Sequence, residues 1–124
     1  MEIIAAREIR EDPERAYTEV HTLLRDYPDL LAIYCIGAGH EGIARALIEH
    51  GREKSVVFIG HDLTEYTKEY LLTGVMDAVI DQNPRVEARD ALEQLSRVAR
   101  GLAFNAHPLR TQIIFRENLP EEYS

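Results

Sequence analysis

Ile59–Pro84, IGHDLTEYTKEYLLTGVMDAVIDQNP, decides the fold. An apolar run ends in Gly60-His61-Asp62, and a short helix capped by Thr64 follows and stops at Gly74. Met76–Ile80 is a second apolar run, closed by Asp81-Gln82-Asn83-Pro84. Strand, helix, strand at this spacing reads as a unit with two parallel strands and a right-handed crossover. Asp62 and Gln82 then emerge at one carboxyl edge, where open α/β sheets bind small ligands. A carboxylate acceptor beside an amide that donates and accepts suits a polyhydroxylated molecule.

Outward from this unit the same alternation repeats. Glu2–Ile9 (EIIAAREI) has a partly alternating, strand-like pattern. Asp12-Pro13 supplies an N-cap and a first-turn proline, and Ala16, Val20, Leu23, Leu24 and Tyr27 recur on one helical face. Leu30–Ile36 is a continuous apolar run, as in a strand covered on both sides. Gly37–His40 turns into a helix with Ile43, Ala44, Leu47 and Ile48 inward, closed by Gly51. Ser55–Ile59 is a strand. After Asn83-Pro84 a long helix carries Val86, Ala88, Leu92, Leu95 and Ala99 on its inward face, and Thr111–Phe115 reads as a last strand. The expected fold is a single α/β domain over residues 1–124. It has three layers, α/β/α, around a mostly parallel sheet of about five strands.

A chain of 124 residues holds one core. No apolar run approaches the ~20 residues of a membrane span, and the N-terminus has no signal-peptide pattern. The one cysteine, Cys35, lies mid-strand as a small buried hydrophobe, and nothing points to export, which places the protein in the cytoplasm. Net charge is −8, with arginine and lysine scattered and no basic stripe, so the segment itself is a poor nucleic-acid surface. A neutral or cationic small molecule suits that charge better than a polyphosphate.

Two chemistries compete for the carboxyl edge. Gly37-Ala38-Gly39-His40-Glu41-Gly42 is a literal G-x-G-x-x-G opening a helix, and Asp62 lies twenty residues beyond Gly42. That is the layout of a dinucleotide site in a small Rossmann-type oxidoreductase. Against it stand Glu41 beside the phosphate position and a strand–helix unit that already precedes the motif. The histidines His21, His40, His50, His61 and His107 form no metal-ligand spacing, and no serine sits in a nucleophile elbow. No metal, no cofactor and no catalysis are expected. His40 and His61 sit at strand ends as loop histidines or ligand contacts, while Asp62 and Gln82 have plainer readings as a helix cap and a turn residue.

The run VVFIGHDLTEYTKEYLLTGVMDAVIDQNPRVEARDAL (56–92) resembles the effector-binding region of LacI-type bacterial transcription regulators, itself similar to periplasmic sugar-binding proteins of type I. The likeness extends upstream through DPERAYTEVHTLLRDYPDLLAIYCIGAGHEGIARALIEHG (12–51) and downstream through IIFRENLPE (113–121). The resemblance implies a small carbohydrate effector held between two lobes, with Asp62 accepting hydroxyl hydrogens and Gln82 contacting the sugar where the chain crosses between lobes. The loop Gly37, Ala38, Gly39, His40 matches a contact loop, and His61 adjoins Asp62. Many relatives carry Asn-Asp in that loop, and Gly-Ala-Gly here removes those side-chain hydrogen bonds. The resemblance further implies that the helix-turn-helix DNA-binding domain and the first lobe are missing from this chain. Operator DNA would be contacted through that missing part. Helix 84–100 would then lack its lobe, and a homodimer that exchanges this helix or the terminal strand is expected.

Overall fold

The computed structural model describes residues 1–105, 108 and 110–121. Its first helix, α1 (Pro13–Asp26), begins as the sequence dictates: the Asp12 carboxylate accepts from the Glu14 N–H at 3.0 Å, and Pro13 occupies the first turn. Ala16, Val20 and Leu24 on its apolar face are buried. There follow β1 (Ala32–Tyr34), α2 (His40–Glu49), β2 (Val57–His61), α3 (Glu65–Thr73), β3 (Ala78–Asp81), α4 (Pro84–Ala99) and β4 (Gln112–Ile114), then a single 3-10 turn at Arg116–Asn118. Gly74, at φ 81, ends α3 in the left-handed conformation that a side chain would disfavour.

The sheet order is β1-β2-β3-β4. β1, β2 and β3 run parallel, with Ile33 opposite Phe58 and Gly60 opposite Val79; β4 is antiparallel to β3, with Asp81 opposite Gln112. Because each parallel strand is added on the same side of the last, right-handed crossovers place the connecting helices α2 and α3 on one face. α1 joins that layer through its close packing on α2: Gly42 of α2 lies directly on the Pro13–Tyr17 turn of α1. The core lies between this layer and the sheet. Phe58, Val79 and Ile114 face Leu24, Leu47 and Leu71 there, all in one buried cluster.

Two expectations change. Glu2–Ile9 forms no strand; it is fastened instead by an Arg7–Glu19 ion pair at 3.3 Å and by the Ile9 carbonyl, which accepts from Asp12 at 3.0 Å. The α/β class and the mostly parallel sheet stand as expected, the sheet having four strands of which only the last is antiparallel. The inward face assigned to the helix after Pro84 is not inward, for α4 buries no residue. A second helical layer is not formed by α1, α2 or α3, and the outward side chains Tyr34, Val57 and Ile113 are exposed. Among the described residues no helix is long and apolar enough to cross a membrane.

Candidate functional site

The site grows from the end of β2. Register puts His61 opposite Ile80, so Asp62 and Gln82 leave adjacent parallel strands at the same edge, as expected. Asp62 adopts φ 67, a left-handed conformation that costs a non-glycine residue about 1–2 kcal/mol. Its backbone is tied on both sides. The Asp62 N–H donates to the Ile80 carbonyl at 3.0 Å, and the Thr67 hydroxyl donates to the Asp62 carbonyl at 2.8 Å. The next residue, Leu63, donates its N–H to the buried Asp81 carboxylate at 3.1 Å. The Asp62 carboxylate itself is exposed to a concavity.

Thr67 is the hub of this turn. It is 1% exposed, and its hydroxyl also accepts from the Thr64 N–H at 2.8 Å while the Thr64 hydroxyl accepts from the Thr67 N–H at 3.2 Å. Thr67→Val keeps the shape and removes the hydroxyl, orphaning one donor and one acceptor in a buried place. We expect a loss of about 1–3 kcal/mol in urea unfolding, with ligand binding weakened alongside it.

Gly37, Ala38, Gly39 and His40 come to the same concavity, together with His61 and Asp62. Gln82 does not. It lines a neighbouring groove with Asn83, Val86, Asp90, Arg110 and Gln112, so one strand end serves each hollow. Four residues missed from the sequence complete the Asp62 wall: Glu11, Glu41, Thr64 and Tyr66. Glu11 precedes the cap of α1 much as Asp62 precedes the cap of α3. That shared place ahead of a helix start was the available signal. Three carboxylates line the wall, and no lysine or arginine does.

His40 is 8% exposed, at the first turn of α2 above Gly60. Its Nε2 accepts from the His61 N–H at 3.3 Å, which requires that nitrogen to be unprotonated. Burial holds its pKa below the ordinary histidine value of 6.5, partly offset by Glu41 and Asp62. A depressed pKa means that the unfolded chain takes up the proton first as pH falls. Stability should therefore be complete above pH 6.5 and decline below it. Urea midpoints at pH 7.5 and 5.5 measure this, and His40→Gln should lessen the decline.

His61 is positioned from the other side, with Nε2 2.5 Å from the Tyr34 hydroxyl. His21 and His50 pair at 2.8 Å across the α1–α2 seam, away from this edge; His107 lies outside the described residues. Among the described residues, no three His, Cys, Asp or Glu side chains are grouped to hold a metal ion.

The glycines of the G-x-G-x-x-G stretch serve packing rather than phosphate approach. A Cβ on Gly39 would lie 2.8 Å from Ile9, and one on Gly42 would lie 1.8 Å from the Pro13 carbonyl oxygen. The space that a bare glycine opens is already filled by this chain, which disfavours the dinucleotide reading.

The family model described as periplasmic binding protein domain matches residues 1–103. No match was found among curated proteins. Among solved structures, GanP, a glucose-galactose binding protein from Geobacillus stearothermophilus, superposes with a TM-score of 0.87 at 26% identity, covering 96% of this chain and 43% of its own. A sugar ABC transporter sugar-binding protein from Bacillus halodurans gives 0.83 at 26% identity, covering 94% and 44%. An ABC transporter solute binding protein from Agrobacterium vitis, with bound D-fucose, gives 0.87 at 17% identity and covers 98% and 43%; at that identity it shows the shared fold alone. The chain thus spans less than half the length of these proteins.

Proposed function

The chain belongs to the periplasmic binding protein domain family, and from that premise we propose that it supplies one wall of a carbohydrate-binding cleft. The observation that carries this reading is Asp62: an exposed carboxylate on a strained, fully tied turn at the carboxyl end of β2. Strain of this kind persists where the surroundings over-determine it, and it gathers at ligand clamps. Asp62 accepts sugar hydroxyls, His61 and the 37–40 loop border them, and Gln82 contributes from the next strand end as the cleft closes. The acidic wall favours a neutral or aminated sugar over a phosphorylated one. These residues hold a ligand and offer no activated nucleophile, so the role is binding rather than catalysis.

In the longer protein we place this lobe in a cytoplasmic LacI-type regulator. Residues 1–124 would form the later part of its effector domain. The sugar would shift the population of closed lobes and, through a homodimer, the spacing of DNA-binding heads on the operator. The run from Val56 to Leu92 supports that assignment. A second reading is the solute-binding protein of a sugar importer, favoured by GanP and the Bacillus halodurans protein. A helix-turn-helix encoded ahead of Met1 selects the regulator; an export signal there selects the importer.

The test is calorimetry of the longer protein against a monosaccharide panel. Asp62→Asn should weaken binding of whichever sugar is bound by about 10–100-fold, the worth of hydrogen bonds to a charged group. Unchanged affinity in that variant would reduce Asp62 to a structural turn.

A further inference from the structure

Rungs between β1 and β2 step along the strands two residues at a time. The Val57 N–H donates to the Leu31 carbonyl and the Cys35 N–H to the Ile59 carbonyl, both at 2.9 Å. The next donor is the His61 N–H, but β1 ends at Tyr34 and the chain turns away through Gly37, at φ 89. A side chain takes the rung instead: His40 Nε2 receives the His61 N–H at 3.3 Å. Gly60 keeps room for the ring, since a Cβ there would lie 2.5 Å from that same nitrogen. The bond anchors the residue that leads into Asp62, itself held at φ 67. A neutral imidazole can accept in this place; an imidazolium cannot, because both of its nitrogens donate.

We propose that His40 is the positioning residue of the Asp62 corner and that ligand binding there is linked to its proton: neutral His40 holds the corner in its binding form, and protonation releases it. The inference rests on the reading of Asp62 as a sugar acceptor. Two consequences of protonation act in the same direction. The His61 N–H then faces another donor, and a bond already at the long end of the ordinary range is lost. The imidazolium is also drawn to the Asp62 carboxylate, the acceptor that the ligand needs. Among the described residues, the titratable groups around the ring are Glu41 on its own helix, His61 and Asp62 at the end of β2, and Glu11 across the concavity. Beneath it lie Gly60, Phe58 and Met76. Burial outweighs the carboxylates and holds the His40 pKa below 6.5, so the accepting form prevails at neutral pH. Affinity is therefore complete above pH 6.5 and falls as acidification passes the midpoint of His40, by at most about tenfold per pH unit for one proton. Reciprocally, bound ligand lowers that midpoint.

Two measurements test this, one of them free of ligand. In the full chain, magnetic resonance of the ring nitrogens between pH 7.5 and 5 should show His40 Nε2 unprotonated at the upper limit. The His61 and Asp62 amide resonances should then titrate with the midpoint of His40. Calorimetry of the longer protein against the monosaccharide panel, D-glucose and D-galactose first, should show Kd rising as pH falls through that midpoint. His40→Gln offers an oxygen acceptor that does not titrate, and should abolish both the amide titration and the slope of Kd with pH. His40→Leu has no acceptor and should bind more weakly than the unaltered protein at pH 7.5. His61→Phe removes the neighbouring imidazole but keeps the backbone N–H, and should keep the slope. Amides that follow the midpoint of another group overturn the proposal, as does a slope that survives His40→Gln or vanishes in His61→Phe. Failure of every sugar to bind at pH 7.5 would instead strike the carbohydrate reading, and the amide titration alone would then decide the role of His40.

Discussion

Gly42→Ala should lower the thermal midpoint by about 10 °C or more, or prevent accumulation of folded protein. A Cβ at this position would sit 1.8 Å from the Pro13 carbonyl oxygen, 2.8 Å from the Pro13 carbonyl carbon and 2.9 Å from the Tyr17 nitrogen. These are backbone atoms, which no rotamer change can move aside. To restore an ordinary contact, α1 must lift from α2 by more than an ångström, and Ala16 and Val20 lift with it. Overpacking typically costs about 1–3 kcal/mol when side chains can adjust, and here they cannot. A cost of about 3 kcal/mol or more is a large part of the 5–15 kcal/mol that holds a domain together. Gly51→Ala is the control: at φ 65 with nothing within 4 Å, it should lose only the left-handed backbone preference, about 1–2 kcal/mol. Equal midpoints for the two variants would mean that the helices do not touch as described.

Phe58→Ala should cost about 3–5 kcal/mol in urea unfolding. Phe58 is wholly buried mid-sheet between β1 and β3, and its ring centroid lies 6.2 Å from that of His40. Its N–H donates to the Asp77 carboxylate at 2.8 Å, so the backbone stays pinned and the sheet cannot easily close over the gap. Removal of the ring therefore leaves a cavity beneath the histidine that receives the His61 N–H. Stability and ligand affinity should fall together, unlike Asp62→Asn, which should spare the urea midpoint. A loss below about 1 kcal/mol would show that the core collapses into the space.

Local chemistry carried most of what proved readable. Asp12-Pro13, Thr64 and Gly74 mark helix ends through bonds and torsions settled within a few residues, and each lies where its type predicts. The shared edge of Asp62 and Gln82 was readable because a strand–helix–strand spacing fixes strand direction. What depends on distant partners was not. Glu2–Ile9 has strand-like residues, but a strand exists only where its N–H and C=O groups find a ladder. An apolar pattern shows which residues are buried but not which way a strand runs, so the reversal of β4 left no trace in Ile113 and its neighbours. The stripe Leu92-Leu95-Ala99 announces an apolar face without saying what lies against it. Glu11 escaped because its place ahead of the α1 cap marks a helix start without saying what that start faces; its part in the wall depends on how α1 meets the 37–40 loop.

The antiparallel register of Asp81 with Gln112 has a bearing on how this protein can be altered. Both ends of the intervening segment are clamped side by side at one ladder, so its length is decoupled from the rest of the sheet. Doubling a closed loop adds only about 0.6 kcal/mol of closure entropy. The segment between these two residues is therefore a natural port for a graft: a reporter domain or a tag inserted near Gly101 would leave every strand, and the Asp62 wall, in register.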